Sequence, residues 1–205
     1  MSVVCGLDLS LTSAGVAILV DGTPKVIKSV GHKGRDGDGW QHRSRRVRSQ
    51  CRAVLKVLDD ALLPMATVHH WEREPDLAVI EGPSYGSQYG DQFDRAALWH
   101  GVYGALEARH VPIAVIAPST LKLWFTGNGG TAKGLDRQAE KRRMLDTARL
   151  IFREPVTDDD QADALALTLA GAHHLGDPMP PKFQPNQRQV DALLKIDWPE
   201  VAQCH

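Results

Sequence analysis

Residues 3–9 read Val3-Val4-Cys5-Gly6-Leu7-Asp8-Leu9, an apolar β-rich run that places an aspartate, Asp8, where a buried strand carries a hydrophobic side chain. An ionised carboxylate among Val, Leu and Ile costs on the order of several kcal/mol unless a cation meets it. Two further segments repeat the oddity. The stretch Leu77-Ala78-Val79-Ile80-Glu81-Gly82-Pro83 ends an apolar run on Glu81, and DDDQADALALTLA (158–170) places Asp160 and Asp163 at the head of an apolar helix. Acids from three distant segments, each at the edge of core structure, read as one divalent-metal site.

Working outward from 3–9, residues 15–20 and 25–30 form two more β-rich runs. They are joined by the short SLTS link and the turn Asp21-Gly22-Thr23-Pro24, which together predict an antiparallel meander. A Gly- and charge-rich loop follows over 31–39. From 41 to 63 the period changes: Val47, Cys51, Val54, Leu55 and Leu58 share one helical face. A short strand is expected at 77–81, a helix at 91–110, a strand at 112–117 and a short helix at 119–125. Beyond a Gly-rich loop at 127–130 come a basic amphipathic helix at 136–152 and a helix from the N-cap Thr157 to about 175. The expected fold class is α/β, a mixed five-stranded sheet in the order βββαβαβα flanked by helices. The expected organisation is one domain over 1–175 and a Pro-rich tail over 176–205, in which 190–196 could form one short helix.

A formal net charge of −1 over 205 residues gives no bulk signal for nucleic acid, so the segregation of acids and bases matters more than their sum. Cys5, Cys51 and Cys204 are widely spaced with no CxxC pair, which excludes a zinc knuckle or disulfide framework and points to a reducing compartment. No targeting or membrane-spanning run is visible, so the expectation is a soluble, cytoplasmic protein with no membrane partner. The nine histidines show no tight ligand spacing. GNGGTAKG (127–134) lacks the Gly before and the Ser/Thr after Lys133 that a phosphate-binding P-loop needs, so no small-molecule cofactor is expected.

Each acid also has a plain structural reading. Asp8 could close its strand or make an Asx turn, and Glu81 could simply end its own. Acids in a first helical turn offset the macrodipole, and Thr157 with Asp160 resembles a capping box. Asp163 is harder to explain this way, because it lies on the approach to the buried stretch. Asp160 and Asp163 at i,i+3 would repel unless a cation sat between them; Asp159 and Asp163 at i,i+4 would do nearly as well. Taken together, carboxylate oxygens suit Mg²⁺ or Mn²⁺, and a pair of such ions serves phosphodiester chemistry.

GLDLSLTSAGVAI, the strand ending VIEGP, and DQADALALTLA resemble, in order and spacing, the acidic motifs of RuvC-type Holliday-junction resolvases of the ribonuclease-H-like superfamily. The resemblance spans about residues 3–172. It implies a ribonuclease-H-like sheet and a two-metal endonuclease, with Asp8, Glu81, Asp160 and Asp163 as catalytic metal ligands for two Mg²⁺ (or Mn²⁺). It also implies branched DNA as partner and a homodimer that makes paired nicks in a four-way junction. Asp8-Leu9-Ser10 replaces the family's usual D-P-G, as in divergent, phage-type relatives. The family's bacterial members carry a junction-wedging aromatic behind the second acid; Tyr85 stands nearest here and Tyr89 second.

Arg43, Arg45, Arg46, Arg48 and Arg52 share the helix at 41–63. They read either as a solvated face or as phosphate contacts, with Arg45, Arg48 and Arg52 the expected DNA-binding positions. Lys122 and Lys133 resemble the family's basic residues beside its active site. Trp124, near the Gly-rich loop, is a core aromatic by default and a base-stacking one by alternative. Rival functions are a ribonuclease acting on RNA–DNA hybrids, a catalytically silent nucleic-acid-binding module, and a sugar-kinase-like ATPase. The last would need a D-x-G-T loop that Asp8-Leu9-Ser10-Leu11 does not supply.

Overall fold

Strand β1 (Val3–Asp8) is inaccessible on both faces until its last residue, which is why it reads as a continuous apolar run rather than an alternating one. It is the middle strand of a five-stranded sheet ordered β3-β2-β1-β4-β5. On one side it pairs antiparallel with β2 (Ala14–Val20), which pairs antiparallel with β3 (Thr23–Val30). On the other it pairs parallel with β4 (Leu77–Glu81), which pairs parallel with β5 (Ile113–Ile116). The computed structural model describes residues 1–35, 37–69, 74–83, 92–128 and 137–201, with the side chains of 64–69 and 137 excepted. Among them are six helices: α1 (Trp40–His69), α2 (Gln92–Glu107), α3 (Pro118–Thr126), α4 (Arg137–Ile151), α5 (Asp159–Leu175) and α6 (Gln187–Leu193). None is long and apolar enough to cross a membrane.

The period of two along the strands builds two cores. Val3, Cys5 and Leu7 join Ile18, Ala78 and Ile80 against Val54 and Leu58 of α1 and Leu98 and Val102 of α2. Val4, with Leu77, Val79 and Ile116, joins the opposite core, made with Trp124 of α3, Met144 of α4 and nearly the whole inner length of α5. Helix α5 is largely Ala and Leu and lies flat on the sheet. Two glycines allow that approach. A Cβ on Gly6 would fall 2.2 Å from the Ala164 carbonyl oxygen, and one on Gly15 would fall 1.9 Å from the Asp160 carbonyl oxygen. Neither contact can relax without moving α5, because the obstacle is backbone. Gly6→Val is therefore expected to lower Tm by about 2–12 °C, since overpacking costs roughly 1–3 kcal/mol and each kcal/mol shifts a domain of this size by about 2–4 °C. Differential scanning calorimetry measures it directly.

Helix α5 starts one residue later than the sequence signal indicates. Asp158, rather than Thr157, is the N-cap: its side chain accepts from the Gln161 N–H at 2.9 Å and from the Ser29 hydroxyl at 2.8 Å. Thr157 instead donates its backbone N–H to the Gln161 side chain at 2.9 Å. Helix α1 runs six residues past Leu63, through Pro64, although proline removes a helical N–H and usually ends the pattern. After Gly176 the chain packs back on the domain. Phe183 is buried edge-on to Trp124 at 5.0 Å, Gln189 donates to the Trp124 carbonyl at 2.6 Å, and Trp198 stacks on His174 at 4.2 Å. Helix α6 begins at Gln187 with a full Asn186/Gln189 capping box. Trp124 is wholly buried in this contact, so it is a core residue and not a stacking surface for bases.

Candidate active site

The parallel β1–β4 register aligns Gly6 with Val79 and Leu7 with Ile80. One step further, both strands reach a carboxylate, Asp8 on β1 and Glu81 on β4. By alternation each points to the α5 side of the sheet, as Val4 and Val79 do. Across the other ladder Asp8 pairs with Gly15, the residue on which the Asp160 carbonyl rests. The missing side chain at Gly15 thus brings the first turn of α5 onto the end of β1. Asp8, Glu81, Asp160 and Asp163 consequently line one cavity of about 530 Å³. It lies at the carboxyl ends of the parallel strands, where open α/β sheets form their ligand sites.

Adjacent acids on α5 have different neighbours. Asp158 is occupied as the cap, and Asp159 pairs with Lys141 of α4 while still facing the cavity. Ser13, beside Asp160, opposes the upward pull of its burial. Asp163 has an oxygen, Oδ1, that is buried without a hydrogen-bond partner among the described residues.

Burial is the first cause of raised carboxyl pKa values here, and like charge the second. Asp8 is held well above the usual carboxylate range by desolvation and then by Glu81, Asp163 and Asp160. Asp163 is raised by desolvation and then by Glu81, Asp159 and Asp160, with Lys122 opposing. Desolvation pushes Glu81 up to about 7 against the opposing charge of Lys122. Asp8 and Glu81 stand side by side at the ends of adjacent strands, and burial raises both. Among the described residues no group of three acid, histidine or cysteine side chains already stands in ion-ligating geometry. An all-carboxylate donor set, mutually repelling and carrying an orphaned buried oxygen, fits a hard divalent cation.

Among solved structures, this chain is similar to Thermus thermophilus RuvC, with a TM-score of 0.54 at 20% identity over 87% of this chain and 99% of that one. It is similar also to T. thermophilus RuvC in complex with Holliday junction substrate, with a TM-score of 0.55 at 17% identity over 88% and 99%. The chain has the RuvC-type resolvase fold. No protein-family model and no curated protein matches the sequence. The mixed five-stranded sheet expected from the strand order, ribonuclease-H-like by the family resemblance, is the one observed.

Within this RuvC-type fold the expected basic positions separate. Lys122 of α3 lines the cavity and donates to Glu140 Oε2 at 2.8 Å. Arg45, Arg48 and Arg52 lie on the exposed face of α1 and do not line the cavity. Their neighbours are inward and structural: Arg43 forms a two-pronged pair with Asp94 at 2.8 and 3.1 Å, and Arg46 donates to the Leu11 carbonyl at 3.3 Å. Lys133, Tyr85 and Tyr89 lie outside the described residues.

Several cavity residues escaped the sequence reading. Gln92, Arg95, Ala96 and Trp99 line it from α2, and their i, i+3, i+4, i+7 spacing is a helical face that the sequence displays. Trp99 donates its indole N–H to the Glu81 carbonyl at 2.9 Å, and the Gly82 N–H bonds the Ile116 carbonyl at 2.8 Å. These two bonds fix the end of β4 and so the root of the Glu81 side chain. Glu140 has no comparable sequence signal, because it stands directly before a basic triplet that reads as solvated surface.

Proposed function

We propose that the chain is a divalent-metal-dependent endonuclease that cuts phosphodiesters in branched DNA, most specifically resolving four-way junctions by paired nicks. The observation that carries this reading is the convergence of Asp8, Glu81, Asp160 and Asp163 in one cavity beneath a lysine. A binding module would gain nothing from so many mutually repelling, desolvated acids, which lower stability unless they serve chemistry. The RuvC-type fold, and the T. thermophilus RuvC solved with a Holliday junction substrate, support the choice of branched DNA.

In this reading Asp8, Glu81, Asp160 and Asp163 would together hold two Mg²⁺ (or Mn²⁺), with Asp8 central to the cluster. When bound, the ions supply water activation and neutralisation of the leaving oxygen, giving a 5′-phosphate and a 3′-hydroxyl. Ser13, beside Asp160, would favour the ionised form of that carboxyl. Trp99 holds the β4 end so that Glu81 stays in the cavity. Lys122 faces the position a scissile phosphate would take and offers its ammonium to a non-bridging oxygen. Arg45, Arg48, Arg52 and Lys133 would neutralise backbone phosphates along the arms, and Tyr85 would stack at the branch point. A four-way junction has two-fold symmetry, so paired nicks call for two copies of the chain.

The test is a cleavage panel in Mg²⁺ with four-way junction, Y-fork, flap, linear duplex and RNA–DNA hybrid of matched sequence. Symmetric paired nicks confined to the junction are expected. Cuts in every branched substrate would broaden the reading to a debranching nuclease, and cleavage of the hybrid alone would replace it with a ribonuclease.

A further inference from the structure

We propose that Glu140 is a positioning residue that keeps the Lys122 ammonium away from the carboxylate cluster, so that Glu81 and Asp163 stay open to divalent ions. The inference rests on the metal-site reading above and goes beyond it, because neither residue is a ligand in that reading. Lys122 and Glu140 stand on neighbouring walls of the cavity, on α3 and α4, with Nζ and Oε2 at 2.8 Å. Lys122 lines the same cavity as Glu81 and Asp163, so its charge acts on the cluster. A lysine has a long, flexible stem and three donors. Without a dedicated counter-ion, the nearest concentration of negative charge for it is the cluster itself. There its ammonium would occupy the oxygens that an ion needs.

Glu140 is suited to prevent this. Its side chain is only 13% exposed against 33% for Lys122, and its other oxygen, Oε1, is buried with no hydrogen bond among the described residues. An acid held half-satisfied in this way is costly, and a tie between α3 and α4 could be made more cheaply at the surface. The next residue acts on the cavity in the opposite sense: Lys141 pairs with Asp159 and removes one acid from competition. Consecutive positions on α4 thus set the charge of the site. Glu140 withdraws a cation, and Lys141 withdraws an anion adjacent to the proposed ligands.

Isothermal titration calorimetry with Mn²⁺ and with Mg²⁺, without DNA, on the full chain tests this. Glu140→Gln is expected to weaken ion binding about 10-fold, the lower end of what loss of an outer-shell partner costs. Adding Lys122→Met to Glu140→Gln is expected to restore wild-type affinity, because the competing ammonium is gone. Glu140→Asp, which keeps the charge, is expected to lie between. Wild-type affinity in Glu140→Gln would overturn the proposal, and so would a double variant as weak as the single one. Asp163→Asn separates the two levels of inference. If it binds ions like the wild type, or the wild type binds none, the metal-site reading falls and the Glu140 role with it. If only the Glu140 variants depart from expectation, the Glu140 role alone falls.

Discussion

Asp8→Asn is expected to reduce Mg²⁺-dependent junction cleavage at least ~10³-fold in single-turnover assays while leaving a folded protein. Removing one preorganised electrostatic contact to a developing charge costs about 10²–10³ in rate, and a ligand central to a two-ion site carries more than one such contact. The substitution is nearly isosteric. Asp8 sits between the two ladders, beside Gly15 on one side and next in register to Glu81 on the other. An Asn there keeps the shape of the carboxyl and leaves both backbone ladders intact, so the strand end keeps its place. The same change removes one of the mutually repelling acids that hold each other's pKa values up. Activity should fall while the ion-free protein becomes more stable, a combination that a purely structural aspartate would not produce. Activity loss accompanied by a lower Tm would point to a structural Asp8.

The second large effect is the coupling of stability to pH and to divalent ions. Asp8, Glu81 and Asp163 have folded-state pKa values above their ordinary ones, Glu81 at about 7. The folded protein therefore binds more protons than the unfolded chain at intermediate pH, and stability falls as pH rises. The contribution of Glu81 is fully present below its unfolded value near 4.5 and is lost as pH passes through about 7. Ion-free protein should lose about 5 °C or more of Tm between pH 5 and pH 8 through this cluster. Each tenfold gain in proton affinity on folding is worth about 1.4 kcal/mol, and each kcal/mol moves Tm by about 2–4 °C. Asp163→Asn should lose clearly less over the same range. Excess Mg²⁺ should recover most of the loss at pH 8 and little at pH 5, where protons compete for the same oxygens. Thermal melts in buffers of matched ionic strength read all of these. A wild type and Asp163→Asn that fall in parallel would place the pH dependence elsewhere in the molecule.

Much of the fold is legible in the chain because its strands are short and apolar and its helices strongly periodic. Runs 3–9 and 77–81 are bounded by turn chemistry, and the α1 face Val47, Val54, Leu58 is buried as its spacing requires. The juxtaposition of the acids is legible only in part. Asp8 and Glu81 announce themselves as charges at the ends of buried strands. Their adjacency depends on the Leu7–Ile80 register, which no local pattern specifies. The choice among Asp158, Asp159 and Asp160 is closed to sequence, because all three suit a first helical turn. They are told apart by remote partners, Ser29, Lys141 and Ser13 respectively. The same holds for Gly15, whose role is to admit a carbonyl from a helix distant in the chain, and for Glu140, whose partner comes from another helix. The segment after Gly176 misleads for a related reason. Its prolines and polar residues read as extended chain, while Phe183, Gln189 and Trp198 find their places only against Trp124 and His174.

The central claim is that Asp8, Glu81, Asp160 and Asp163 together hold divalent ions. Its most direct test is an anomalous-difference map from crystals of the wild-type chain grown with Mn²⁺. Peaks bounded by oxygens of these four carboxylates are the predicted result. A cavity without an anomalous peak at saturating Mn²⁺ would contradict the account.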